Sequence, residues 1–209
     1  MATPAEPTRD RSPLLDRPLG DALERLAAGD VDSPAGSSAA LCGALAAALA
    51  AAMAGNMDAD VAEGAVVQAD ALRARLCDLA ESTGAAHRWA RSLLDLAAAD
   101  PAQGEESDAR NRQLQAALDE AAEVPLEICE TAADVVAFAS WVAGDGPEAT
   151  RADAFAAACI AEAAVASAAA LVEANLAVQA SDDRAASARA HADASRAARR
   201  SLEATARGA

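Results

Sequence analysis

An all-α bundle of about six helices is predicted by three features of the chain. Alanine, the strongest helix former, dominates its 209 residues, while aromatic residues make up only 2% and tyrosine is absent. The runs of valine, isoleucine and threonine that build strands are missing. Long segments with apolar positions three and four apart are joined by short turns rich in glycine and proline, the pattern of an up-down bundle.

Met1 to Arg17 holds three prolines and mixed charges, and reads as a disordered leader. One domain is expected over residues 18–209. Pro18 suits the first position of a short helix whose apolar stripe is Leu19, Leu23 and Leu26, and Gly29 ends it. The turn Pro34-Ala35-Gly36 then feeds the central helix, about Ser38 to Gly55, with Ser37 or Ser38 as its cap. Nothing polar follows the cap until Asn56, so this helix is apolar on every side and is expected at the buried centre of the bundle or at a dimer interface. Its apolar run of about 17 residues, mostly alanine, falls short of a membrane span, and no membrane partner is expected.

A long helix is predicted from about Asp58 to Ala99. Its seam reads Val61, Ala65, Ala69, Leu72, Leu76, Leu79, Thr83, Ala86, Ala90 and Leu94, with Thr83 the polar member and Gly84 beside it a local weak point. Asp100 to Gly104 reads as a loop. A fourth helix from Glu105 to about Val142 carries Pro125, which removes one backbone hydrogen bond and should kink it. Gly144 to Pro147 turns the chain into a fifth helix, which starts between Arg151 and Asp153 and runs to about Val178. Asp182 to Gly208 reads as a more polar outer helix. Alanine seams bury little apolar area per residue, so a single bundle would have a thin core; a homodimer sharing a helical face is expected.

The formal charge of −16 argues against nucleic acid as a partner, because phosphate binding needs a clustered basic surface. From Ser181 onward six arginines face four acids, too weak a patch to change that. All 17 basic residues are arginine. The four cysteines, Cys42, Cys77, Cys129 and Cys159, lie 30 residues or more apart, which is no metal-ligand spacing. Each sits in an apolar helical context and reads as a buried free thiol. With no signal peptide to read at the N-terminus, reduced thiols point to the cytoplasm.

No catalytic signature stands out by spacing alone. His87 and His191 are the only imidazoles, and His87, near Trp89, reads as a helix-surface or interface residue. The Gly36 to Ser38 turn could cradle an anion at a helix N-terminus, although a plain capped turn has the same sequence.

Three segments together nevertheless resemble the C-terminal family of formiminotransferase-cyclodeaminase, which includes free-standing methenyltetrahydrofolate cyclohydrolases. Ser33-Pro34-Ala35-Gly36-Ser37-Ser38-Ala39-Ala40, followed by Gly43-Ala44-Leu45 and Met53, is similar to the family's proline, triple-glycine, serine turn and alanine-rich helix. Ala121-Ala122-Glu123-Val124-Pro125-Leu126 is similar to its Ala-x-x-Val-Pro-Leu kink. Asp153, opening an alanine-rich helix, resembles the aspartate that begins the family's penultimate long helix.

The resemblance implies a cytoplasmic all-helical dimer acting on a one-carbon unit carried by tetrahydrofolate, which is a substrate, with no resident cofactor or metal. The activity implied is formiminotetrahydrofolate cyclodeaminase or methenyltetrahydrofolate cyclohydrolase. Either reaction moves a proton to or from a nitrogen, a task suited to a positioned carboxylate. By the same resemblance Gly36, Ser38 and Asp153 are substrate-binding candidates. Ala35 and Ser37 replace two glycines of the family's turn, and Thr83 stands where the family has its proton-carrying aspartate. Glu81 or Asp78 would then have to supply the carboxylate. The alternative is a helical scaffold or ligand-binding protein that kept the bundle and lost the chemistry.

Overall fold

The computed structural model describes residues 13–99, 105–176 and 182–208. Six α-helices occupy them in order: α1 (Leu19–Ala28), α2 (Pro34–Ala54), α3 (Ala59–Ala99), α4 (Glu105–Asp145), α5 (Arg151–Asn175) and α6 (Asp183–Gly208). A 3₁₀ turn, Glu148–Thr150, leads into α5. No strand occurs among the described residues.

Helices α2 to α5 form the bundle, each packed on its neighbour in sequence, with α2 closing the ring against α5. Helix α6 lies across α4 and α5. The core divides along the bundle axis. One cluster joins Ala39, Ala40 and Ala47 of α2 to Leu76 and Leu79 of α3, Ile128 and Val135 of α4, and Val165 and Val172 of α5. A second cluster at the far end of α2 joins Ala50 and Ala54 to Ala65, Ala69, Phe138, Val142, Ala154 and Ala157. A third, small cluster of Ala90, Ala117 and Ala121 holds α3 and α4 together beyond the end of α2.

Small side chains let the backbones come close. A Cβ added at Gly43 would stand 3.0 and 3.2 Å from the two methyls of Leu76. The α3 seam runs as its spacing predicts: Ala65, Ala69, Leu76, Leu79, Thr83, Ala86 and Ala90 are buried, Leu72 is half-buried, and Val61 and Leu94 at the two ends are exposed. Gly29 ends α1 in the left-handed region, φ 72°, as the sequence suggests.

Several expectations are corrected. Helix α2 is not buried all round: one face holds exposed Cys42, Leu45 (61% exposed) and Ala52. A helix with no polar residue gives no sign of which side faces outward. Of the four cysteines only Cys129 is fully buried; Cys77 and Cys159 are half-buried. Burial, and then the nearby Glu130, pushes the Cys129 thiol up to about 11. Helix α2 begins at Pro34, with Ser33 at the cap position, rather than at Ser37 or Ser38. The leucine stripe of α1 is only partly covered, with Leu19 73% and Leu23 56% exposed and Leu26 half-buried beside the buried Ala22.

The expected leader is described from Pro13 onward, where Leu14 is buried and the Leu15 amide donates to Glu81 Oε1 at 2.9 Å. Its first 12 residues, and the expected loop from Asp100 to Gly104, lie outside the described residues. Pro125 sits inside α4 without ending it.

Two helical stretches, Pro34–Ala54 and Glu148–Asn175, are long and apolar enough to cross a membrane, with mean hydropathy 1.8 and 2.0. The first is longer than the sequence reading allowed, because Pro34 to Ser37 join the helix. About half of each apolar window is buried against the bundle, which is where core helices of this composition belong.

Candidate site at the N-terminal turn of helix α2

The turn before α2 is seated directly on α3. Gly36 and Ser37 are buried, and the Ser37 hydroxyl donates to the Ala80 carbonyl at 2.9 Å. The hydroxyl therefore serves a neighbouring helix instead of capping its own. The Thr83 hydroxyl donates to Ser33 Oγ at 3.3 Å and lies under Gly36. A Cβ at Gly36 would stand 2.4 Å from Thr83 Oγ1 and 2.8 Å from Ser33 Oγ, so only glycine lets the two helices meet at this distance. The loop before the turn is tied down as well, by an ion pair between Asp32 and Arg88 on α3. Gly84 lies beside that loop, where a Cβ would meet Arg88 Nη1 at 3.5 Å and Asp32 Cβ at 3.7 Å, ordinary contact distances.

The Ser33 side chain caps none of the first-turn amides, and the first helical amide bonded back into the turn is Ser37 N–H, to Ser33 O at 2.9 Å. The Ala35 and Gly36 N–H groups thus have no intrahelical acceptor and stand at the positive end of the α2 dipole. Ala35 is exposed and Ser38 half-buried, so the outer side of the turn is open while its inner side is packed.

Of the three substrate-binding candidates, Gly36 and Ser38 share this turn. Asp153 does not join them: it is exposed in the first turn of α5, next to Ala154, which clusters with Ala54 at the other end of α2. The 18 residues from Gly36 to Ala54 put it about 27 Å away along the helix axis.

Neither of the replacement carboxylates faces the Gly36–Thr83 contact. Glu81 lies two positions from Thr83, about 200° around the helix, and is exposed and engaged by the Leu15 amide. Asp78 is exposed. His87, one turn beyond Thr83, is exposed too, as the sequence reading placed it. Among the described residues no three His, Cys, Asp or Glu side chains gather into a group that could hold a metal ion.

The packed turn also predicts a result. Gly36→Ala should destabilise the protein by about 1–3 kcal/mol through overpacking. Adding Thr83→Ala, which deletes the oxygen nearest the new methyl, should recover a large part of that loss. Urea unfolding of the two single variants and the double variant measures both; strictly additive losses would show that the methyl is accommodated elsewhere.

An all-α bundle whose glycine-serine turn is docked on a long neighbouring helix defines the class of protein. The chain belongs to the formiminotransferase-cyclodeaminase family, whose model matches residues 18–195. Among solved structures it is similar to formiminotetrahydrofolate cyclodeaminase from Thermotoga maritima, with 21% identity, a TM-score of 0.70, and coverage of 90% of this chain and 93% of that one. That likeness carries the fold. A search of curated proteins gives no match.

Proposed function

We propose that this chain is a tetrahydrofolate-directed member of its family that binds a one-carbon folate at the outer side of the α2 turn. Gly36 and Ser38 would line the site, and the open Ala35 and Gly36 amides would offer donors to an acceptor group of the ligand. The observation that carries this reading is the family match, which spans the turn, the Pro125 segment and Asp153 together. Cyclodeaminase or cyclohydrolase chemistry is the reaction type that the family match would imply for such a ligand.

One observation favours the second reading, a bundle that has lost the chemistry. Thr83 fills the inner side of the turn with a hydroxyl that does not ionise near neutral pH, and neither Glu81 nor Asp78 faces it. On this basis we assign the chain folate binding without the family's proton transfer from α3.

A homodimer in the cytoplasm completes the proposal. The exposed apolar strip of α2 is the surface it would use. Gly36 and Asp153, at opposite ends of α2, could serve one ligand only if they came from two copies.

Isothermal titration of the protein with tetrahydrofolate and its 5,10-methenyl derivative tests the reading. Saturable binding near one ligand per chain is expected. No saturable heat with either compound would overturn it and leave the scaffold reading.

A further inference from the structure

Pro125 lacks the N–H that would bond to the carbonyl of Ala121, four residues earlier in α4. That carbonyl belongs to a buried residue, so it needs another donor. The Asn175 side-chain amide, from the last residue of α5, reaches across and donates to it at 2.6 Å. Leu176, the next residue, is buried, which fixes the end of α5 against the bundle.

Arg184 fastens the same turn of α4 from the start of α6. Its guanidinium donates to Asp119 O at 3.2 Å and to Asp119 Oδ1 at 2.8 Å, while Asp182 holds it from behind at 2.7 Å. Glu123 stands 3.7 Å from the same group. The hydrogen bonds that Arg184 donates to Asp182 first, then Asp119, raise its pKa and lower that of Asp182, as expected of a fixed ionic knot.

The place of this fastening matters. Below Pro125, α4 packs into the two main clusters, the first of which reaches past it to Ala122; above that, Ala117 and Ala121 form a separate small cluster with Ala90 and Leu93 of α3. The antiparallel register that sets Ala90 beside Ala117 and Ala121 brings Gly84 of α3 level with about Pro125 of α4. Both helices therefore carry their weakest point at one level, where the bundle gives way to a two-helix arm. The arm's Arg88 also pairs with Asp32, next to the α2 turn.

We infer that α3 after Gly84 and α4 before Pro125 form an arm on a built hinge, and that the Asn175 amide, standing in for the N–H that Pro125 lacks, is the positioning residue that fixes its angle. Pro125 and Asn175 are then one unit. With the carbonyl of Ala121 satisfied from α5, the kink is held; without Asn175, the turn loses that hydrogen bond to the end of α5 and the arm is free to swing. Arg184 is a second, weaker stop because its partners are half-exposed to water. This inference rests on the geometry alone and is independent of what the α2 turn binds.

The test is a double-mutant cycle read by amide hydrogen exchange on the full chain. Asn175→Ala should raise exchange in residues 86–96 and 108–121 by on the order of tenfold, leaving residues 132–142 and 157–169 unchanged. Pro125→Ala restores the backbone donor to Ala121, so in that background Asn175→Ala should change exchange in the arm by less than about twofold. If Asn175→Ala alone proves too unstable, Asn175→Ser, which keeps a shorter donor, supplies the same comparison. An equal effect of the Asn175 variants with and without Pro125, or a rise spread evenly over the bundle, overturns the inference.

Discussion

Thr83→Asp should cost about 3–5 kcal/mol at pH 7 and lower the melting temperature by on the order of 10 °C. Thr83 is only 3% exposed, its hydroxyl lies beneath Gly36, and the one side-chain partner shown for it is the Ser33 hydroxyl. A carboxylate at that place would lose its water and gain no cation, so its pKa would rise above the ordinary value of about 3.9. The sign follows from linkage. The unfolded chain releases the proton at lower pH than the folded one, so the penalty is absent below about pH 4 and grows as pH rises toward the folded pKa. Thermal melts of Thr83→Asp and the unmodified protein should therefore nearly coincide at pH 4 and separate by pH 7. Thr83→Val, which keeps the shape and drops only the bond to Ser33, should lose about 1 kcal/mol at either pH. Had the inner side of the turn remained an open folate cavity, water or ligand would solvate the new acid, and Thr83→Asp would fold without loss and gain turnover.

The second large effect is expected at Leu76. Most of the buried core is alanine, and Leu76 is among the few large side chains that are fully enclosed. It fills the space over Gly43, with its methyls at 3.0 and 3.2 Å from where a Cβ would be. Leu76→Ala should cost about 3–5 kcal/mol, at the high end for this substitution, because the alanines around it have no side chains to move into the cavity. Gly43→Ala in the same background should recover part of the loss by placing a methyl in the vacated volume. Chemical denaturation of the three variants measures this; a loss below about 2 kcal/mol for Leu76→Ala would show that the helices close in on the hole.

Much of this architecture is legible in the residues. The α3 seam is spaced so regularly that its buried members, Thr83 included, follow from periodicity alone. The turn around Gly36 and the proline at Pro125 are also marked locally, since each departs from the helix-forming background. What could not be read is the direction each feature faces in the assembled bundle. Helix α2 is apolar on every side, so nothing distinguished the outward Cys42 and Leu45 from the inward Ala46 and Ala47. Leu19 and Leu23 form a stripe of the kind that packs inward, yet both are exposed, while Ala22 beside the half-buried Leu26 is the buried position. Serine at position 37 looks like a cap, but the acceptor that claims it, Ala80 O, lies 43 residues along the chain. The partnership of Asn175 with Pro125 is likewise invisible without the fold, because the group that links them is the carbonyl of Ala121.

The same limit governs the candidate site. The resemblance sets Thr83 where the family has its aspartate, but whether a nearby acid takes its place depends on helix rotation. Glu81 is close in sequence and turned away in space, engaged with the Leu15 amide. Asp153 is equally plausible by position and lies at the opposite end of α2 from Gly36.

The central claim is that this member of the family holds its α2 turn, the proposed folate site, against α3 with no proton carrier beneath it among the described residues. The most direct measurement follows the absorbance of 5,10-methenyltetrahydrofolate mixed with a large excess of the unmodified protein. The account predicts that the methenyl ring opens at the rate seen in buffer alone, at every protein concentration. Ring opening that accelerates with protein and saturates with substrate would contradict it, and would require a carboxylate to reach the reacting nitrogen from somewhere other than position 83.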